Sequence, residues 1–309
     1  MTRAVAMMGT IVTIQLAGNH EDAIDRAFGW FRHVESCCSR FDPASELRQL
    51  TARIGAAVPA SDLLYEAVQF ALAVAEETGG AFDPTVGHRM EARGFDRNYR
   101  SGDVVRTLPK GSGVAAWRQA TPDPEAISFR DIELDPDERT ITLRRPLVLD
   151  LGAVVKGLAI DLASRELRTF EDFAIDAGGD LYLGGRNPEG LPWSVGIRHP
   201  RAQDADELLD SVRVSNAAVC TSGDYERRST VPDGGHHILD PRTNEPAAAA
   251  ASATVIAPTA MLADALATAA FVLGPIDGLR LIERHGLEGL IVTPALERFA
   301  TPGFPSERH

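Results

Sequence analysis

Apolar and polar residues alternate along Thr10-Ile11-Val12-Thr13-Ile14-Gln15-Leu16, a period of two that predicts a half-buried strand. The period then lengthens. Between Glu21 and roughly Cys38, residues Ile24, Ala27, Phe28, Phe31 and Val34 recur at helical spacing. A second helix is expected after Ser61, whose side chain can accept an N–H of the first turn. Its apolar face is Leu64, Ala67, Val68, Ala71, Leu72 and Ala75, and Gly79-Gly80 stops it. Residues from about 98 to 131 are polar and rich in Gly and Pro, which predicts loops. "ELDPDERTITL" predicts a hairpin turning at Asp135 to Arg139.

From Pro146 the texture changes. "PLVLDLGAVVKGLAIDLASREL" reads as a short apolar strand ending in Asp150, a Gly-containing turn and a helix. "FAIDAGGDLYLGG" reads as strand, turn, strand, and "WSVGIRHP", "VRVSNAAVCTSG" and "SATVIAP" as further strands. A helix is expected after Pro258 with Thr259 as its N-cap. Another around Asp277 to Arg284 and a strand in "LEGLIVT" follow. Strands and helices mix without regular βαβ alternation, so the fold class is α+β or mixed α/β with a largely antiparallel sheet.

Composition narrows the function more than the fold. With 309 residues, 44% of them hydrophobic, the chain can build a single large domain, or two merged lobes over about 1–130 and 131–309. The net charge of −13 argues against a nucleic-acid partner or an anionic membrane surface. A polyanionic ligand would need a local cation or a metal. Cys37, Cys38 and Cys220 lack zinc spacing and are odd in number, which predicts reduced thiols and no disulfide framework. The longest uncharged run, Pro246 to Ala263, is broken by Pro258 and several Ser and Thr, so no membrane span is expected. The apolar N-terminus carries one Arg but neither a small-residue cleavage site nor a lipobox cysteine. A cytoplasmic location is expected, with a trimmed leader as the alternative.

Four segments could carry chemistry. Asp150-Leu151-Gly152-Ala153-Val154-Val155-Lys156-Gly157 joins a strand end to a helix start, where backbone N–H groups and Lys156 could hold a phosphate. Without a Walker pattern it reads equally as a tight connection with an exposed lysine. "TGGAFDPTVG" reads as a turn initiated by Asp83 before Pro84, or as a loop presenting Phe82 and Asp83 to a ring system. "TSGDYERR" and "GHHILDPRT" collect ionisable groups beside strands, with His236 and His237 as structural residues or as a base. Finally, the apolar helix "MLADALATAAFVLG" carries Asp264 and, one turn on, Thr268. Back-bonding by the threonine and an ion pair for the aspartate is one reading; a hard-oxygen pair for Mg²⁺ is the other.

Taken in order, "MGT", "RFDPASEL", "TGGAFDPTVG", "LDLGAVVKG", "IDAGGD", "VGIRHP", "TSGDYERR", "HHILDPRT" and "ADALATAAFVLG" closely resemble the ApbE family of FAD:protein FMN transferases, from Met8 to about Leu273. The resemblance implies a T-fold-like architecture that binds FAD with Mg²⁺. It implies cleavage of the FAD pyrophosphate and transfer of FMN to a Ser or Thr hydroxyl of an acceptor flavoprotein, releasing AMP. Some members mainly hydrolyse FAD instead. By the same resemblance Asp264, Thr268 and the carbonyl of Ala153 hold the metal, and Asp150 and Lys156 contact the nucleotide. Met8, Phe41, Ala81, Phe82 and Asp83 enclose FAD, Ile238 contacts it, and His237 is the base, with Lys156 assisting catalysis. Phe41 stands where many members have Tyr, so stacking is kept and a hydroxyl bond is lost. Two other readings stay open: a Mg²⁺-dependent FAD pyrophosphatase, and a flavin-binding protein without catalysis. The intact Asp264, Thr268 and His237 disfavour the last.

Overall fold

The structure, a computed structural model, describes residues 1–107, 127–204, 207–229 and 235–307; the 108–126 part of the expected loop region lies outside the described residues. The chain begins with strands β1 (Thr2–Met7) and β2 (Thr10–Leu16), then helix α1 (Glu21–Cys38), helix α2 (Glu46–Thr51), strand β3 (Ala57–Pro59) and helices α3 (Asp62–Glu77) and α4 (Gly87–Ala92). The middle holds β4 (Ile132–Asp135), β5 (Thr140–Leu143), α5 (Gly152–Leu167), β6 (Phe173–Ala177), β7 (Leu181–Gly184), β8 (Trp193–Arg198), β9 (Leu208–Val214) and β10 (Ala217–Gly223). β11 (Leu239–Asp240), β12 (Glu245–Pro246), β13 (Ser252–Ala257), helix α6 (Ala260–Arg284), β14 (Glu288–Val292) and β15 (Arg298–Ala300) complete it. Two compact units emerge, each from separated stretches: Met1–Arg32, Lys156–Arg227 and Ala247–His309 form the first, His33–Val155 and Arg228–Pro246 the second.

In the first unit eight strands pair antiparallel in the order β1-β2-β6-β7-β10-β13-β14-β15. Alternation along β10 sorts its side chains between two layers. Cys220 and Ser222 reach α6, the first through the Ala260 carbonyl and the second through Thr268. Val219 instead joins Val195, Ile197, Val212 and Val214 of the β8–β9 ribbon in a buried cluster. Helix α6 packs on β10, β13 and β14 with Ala263, Leu266, Ala267, Ala270 and Phe271 buried. It is long and apolar enough to cross a membrane, a property that a buried core helix shares. The two helices expected here are present, joined end to end across a kink within α6. Gly274 at φ 79° breaks the helical path and Pro275 has no N–H to restore it, yet the chain resumes its turns at once.

The second unit holds α2, α3, α4 and the sheet β3-β5-β4. The β4–β5 hairpin forms where the sequence predicts it, with Arg139 in the turn at φ 50°. Ser61 caps α3, its Oγ accepting from Leu64 N at 3.3 Å. Three expectations need correction. The apolar run ending in Asp150 is not a strand: one parallel bridge, Val86 to Val148, and the bonds Gly87 N to Val148 O (3.1 Å) and Asp150 N to Pro84 O (2.8 Å) are too few for a ladder. "VRVSNAAVCTSG" is two strands, β9 and β10, because Asn216 turns the chain at φ 54°. Thr259 precedes α6, but its side chain makes no capping bond.

The cap comes from α5. Buried Asp161 accepts from Ala260 N at 2.7 Å and Met261 N at 3.0 Å. The crossing is tight enough that a Cβ on Gly157 would sit 2.5 Å from the Ala260 oxygen, so no other residue fits there. Burial raises the Asp161 carboxyl to about 6 against the pull of its two N–H bonds. Asp161→Ala orphans both donors at the start of a buried helix and is expected to cost about 2 kcal/mol in denaturant unfolding. Asp161→Asn, which keeps one acceptor, is expected to cost less; equal losses would remove this explanation.

Candidate functional site

Each unit gathers part of the residues that the motifs single out. In the first, α5 delivers Lys156, the turn after β6 delivers Asp180, α6 delivers Asp264 and Thr268, and β10 delivers Thr221 and Ser222. The Lys156 ammonium pairs with Asp180, whose other oxygen accepts from Thr221 N at 3.1 Å. Ser222 Oγ and Thr268 Oγ1 are 3.0 Å apart, so the Thr268 hydroxyl points to β10. Back-bonding along its own helix is not what holds it.

Asp264 is buried, and its Oδ2 has no hydrogen-bond partner among the described residues. Such an atom costs free energy unless something charged meets it. Burial, and then the negative charge of Asp180, push its carboxyl up to about 7; Lys156, the Gly157 N–H and Arg227 pull the other way. Burial alone would lower the Lys156 ammonium, but Asp180 and Asp264 outweigh it and hold the pKa above the ordinary lysine value. Cys220, buried beside this cluster, has its thiol pushed well up by burial and by the neighbouring carboxylates, and is no nucleophile.

Among the described residues no three His, Cys, Asp or Glu are grouped to hold a metal. Magnesium does not need such a group, because it keeps waters and takes few protein oxygens. The unpartnered Asp264 oxygen and the Thr268 hydroxyl fit that donor set. Met8 lies at the β1–β2 hairpin with φ 51°, followed by Gly9 at φ 76°, as a two-residue turn of this hand requires. A methionine in that conformation costs about 1 kcal/mol, so the turn geometry does not explain its side chain.

In the second unit the organiser is Arg40, which the pattern reading did not single out. It is buried, donates Nε to Asp150 Oδ2 at 2.7 Å and Nη2 to the Phe95 carbonyl, and its guanidinium carbon lies 4.1 Å from the Phe41 ring centre. Phe95 in turn meets the His237 ring edge-on, centroids 6.4 Å apart at 64°. Phe41, Asp150 and His237 are thereby linked through Arg40, the sequence neighbour of Phe41, and through Phe95 from another segment. Asp150 Oδ1 also accepts from Gly152 N at 2.8 Å and so starts α5, whose first turn carries Ala153.

His237 and Ile238 precede the β11–β12 hairpin, which α4 and the residue that follows it anchor: Arg89 bonds the Pro241 carbonyl at 3.1 Å, and Arg93 bonds the Asn244 carbonyl and Glu245 at 2.8 Å each. His236 Nδ1 accepts from Ile238 N at 3.3 Å, which fixes that imidazole as structural. Ala81 and Phe82 are buried, and Asp83 uses its carboxylate internally, accepting from Thr85 N (2.8 Å), Thr85 Oγ1 (2.7 Å) and Phe129 N (3.0 Å). Burial raises its pKa while those bonds oppose the rise. Asp83 therefore locks its own turn. The signals for Arg40, Asp180 and Ser222 lay inside "RFDPASEL", "IDAGGD" and "TSGDYERR", but spacing alone gave them no partner.

A family model described as ApbE family matches residues 8–291. The chain is 31% identical to the FAD:protein FMN transferase of Treponema pallidum, over 95% of this chain and 84% of that protein. Among solved structures it resembles the ApbE protein of Thermotoga maritima with a TM-score of 0.82 and 29% identity, covering 98% of this chain and 97% of that one. It also resembles the flavin transferase ApbE of Vibrio cholerae, with a TM-score of 0.80, 24% identity and coverage of 98% and 97%; at that identity the likeness bears on the fold alone.

Proposed function

The chain belongs to the ApbE family, and from that premise we propose that it transfers FMN from FAD to a Ser or Thr hydroxyl of an acceptor protein, with Mg²⁺ and with release of AMP. The observation that carries this reading is the buried, unpartnered Asp264 oxygen beside an ion-paired lysine. Asp264 and Thr268 are the side chains that would hold the metal. Bound there, Mg²⁺ neutralises charge on the pyrophosphate. Lys156 adds a fixed positive charge for the phosphate oxygens. His237 is assigned as the base that takes the proton of the attacking hydroxyl. Phe41, whose ring lies against the Arg40 guanidinium, is assigned to the flavin ring. Asp150, Met8, Ala81, Phe82, Asp83 and Ile238 are assigned to FAD as the resemblance implies.

The test is direct. The protein is incubated with FAD, Mg²⁺ and a flavinylation-acceptor domain, and acceptor mass and free FMN are measured. FMN on the acceptor is the expected result. Free FMN with AMP and an unmodified acceptor would make it a hydrolase, and intact FAD would make it a binder.

Metal binding should also depend on pH. Because the Asp264 carboxyl is raised to about 7, a proton competes with the metal below that value and not above it. The Mn²⁺ or Mg²⁺ affinity of the free protein is expected to fall about tenfold per pH unit below 7 and to level off above 8. A titration that gives one affinity from pH 6 to 8 would contradict it.

A further inference from the structure

The proposed reaction leaves Asp180 without a part, although it is as buried as any charged group in the first unit. Its position does not depend on Lys156. Ala177 N donates to the Asp180 carbonyl at 2.9 Å and closes the turn, and Thr221 N donates to its Oδ1 at 3.1 Å. Thr221 is itself tied to Thr254 across the β10–β13 pair, hydroxyl to hydroxyl at 2.9 Å. Asp180 Oδ2 is therefore a fixed anion that receives a flexible partner, because a lysine ammonium is a point charge on a four-carbon stem.

The second carboxylate whose charge acts on Lys156 is Asp264. The other cation that acts on both Lys156 and Asp264 is Arg227, which is exposed and screened by solvent. One partly buried ammonium thus feels the charge of two buried carboxylates, and an ion pair joins it to Asp180. We propose that Asp180 is a positioning residue that holds the Lys156 ammonium away from Asp264, and so leaves Asp264 able to take a divalent cation. This inference rests on the reading of Asp264 as a metal ligand. Without the Asp180 charge, the ammonium has one buried anion left to satisfy it, and that anion has an oxygen with no partner. An incoming metal would then have to displace it.

The experiment reads Mn²⁺ binding by the full chain without FAD, by calorimetry and by the Mn²⁺ spin signal, so it does not depend on turnover. Asp180→Asn keeps an acceptor for Thr221 N and is expected to weaken Mn²⁺ roughly 10- to 100-fold. Lys156→Met should bind at least as tightly as the parent. Adding Asp180→Asn to Lys156→Met should leave affinity within a few-fold of that single variant, because no ammonium remains to compete. The two Lys156→Met backgrounds carry the test if Asp180→Asn alone fails to fold. Parent-like affinity in Asp180→Asn would overturn the proposal. So would a tenfold loss on adding Asp180→Asn to Lys156→Met, since Asp180 would then serve the metal directly. Asp264→Asn separates the two readings: if it binds Mn²⁺ like the parent, the metal assignment itself fails; if it loses Mn²⁺ while Asp180→Asn does not, only the role of Asp180 fails.

Discussion

Asp264→Ala is expected to lower Mg²⁺-dependent FMN transfer about 10³-fold or more without unfolding the protein. The charge stabilisation lost with a catalytic metal is several kcal/mol, and each 1.4 kcal/mol is tenfold in rate. The fold should tolerate the change because Asp264 contributes little to it. Its Oδ2 has no partner, burial penalises its charge, and Asp180 repels it. Removing such a carboxylate relieves a cost, so metal-free Asp264→Ala should unfold at the same denaturant concentration as the parent or higher. Added Mg²⁺ should then stabilise the parent and leave the variant unmoved. Two measurements check this: acceptor flavinylation by mass, and denaturant midpoints with and without Mg²⁺. Metal-dependent transfer retained by Asp264→Ala would sink the assignment. A large fall in metal-free stability would instead mark Asp264 as a structural residue.

His237→Ala has the second largest expected effect. Loss of a general base typically costs between about 10² and 10⁴ in rate. FAD binding should change far less, because His237 packs edge-on against Phe95 while Arg40 separately holds Phe41 and Asp150. The expected signature is therefore FAD affinity within a few-fold of the parent and slow single-turnover transfer. Parent-like transfer would remove the base. Equal losses in affinity and rate would turn His237 into a binding residue.

These expectations draw unequally on the sequence. The β2 strand, helix α1, the β4–β5 hairpin and the Ser61 cap were legible because each follows from local physics: a two-residue or 3.6-residue period, or a side chain reaching its own helix end. Helices α2 and α4 were missed because six residues carry too little periodicity to register. The "LVLD" run read as a strand because apolar composition cannot tell a strand from an extended segment with one bridge. The α6 cap was given to Thr259, next door in sequence, when the cap is Asp161 on another helix, about one hundred positions away.

The site divides in the same way. By itself the sequence determined which residue types were out of place. A carboxylate and a threonine one turn apart in an apolar helix, and a histidine pair beside a turn, stand out because burying such groups has a cost wherever they sit. The ordered motifs determined the family. Only the tertiary structure decided the partners: Asp180 for Lys156, Ser222 for Thr268, Arg40 for Asp150 and Phe41, and internal donors for Asp83. It also decided which oxygen is left without one. The physical reason is that periodicity reports the environment of one residue at a time. A hydrogen bond or an ion pair is a property of two, and these pairs join segments that meet only when the sheet and its helices are assembled.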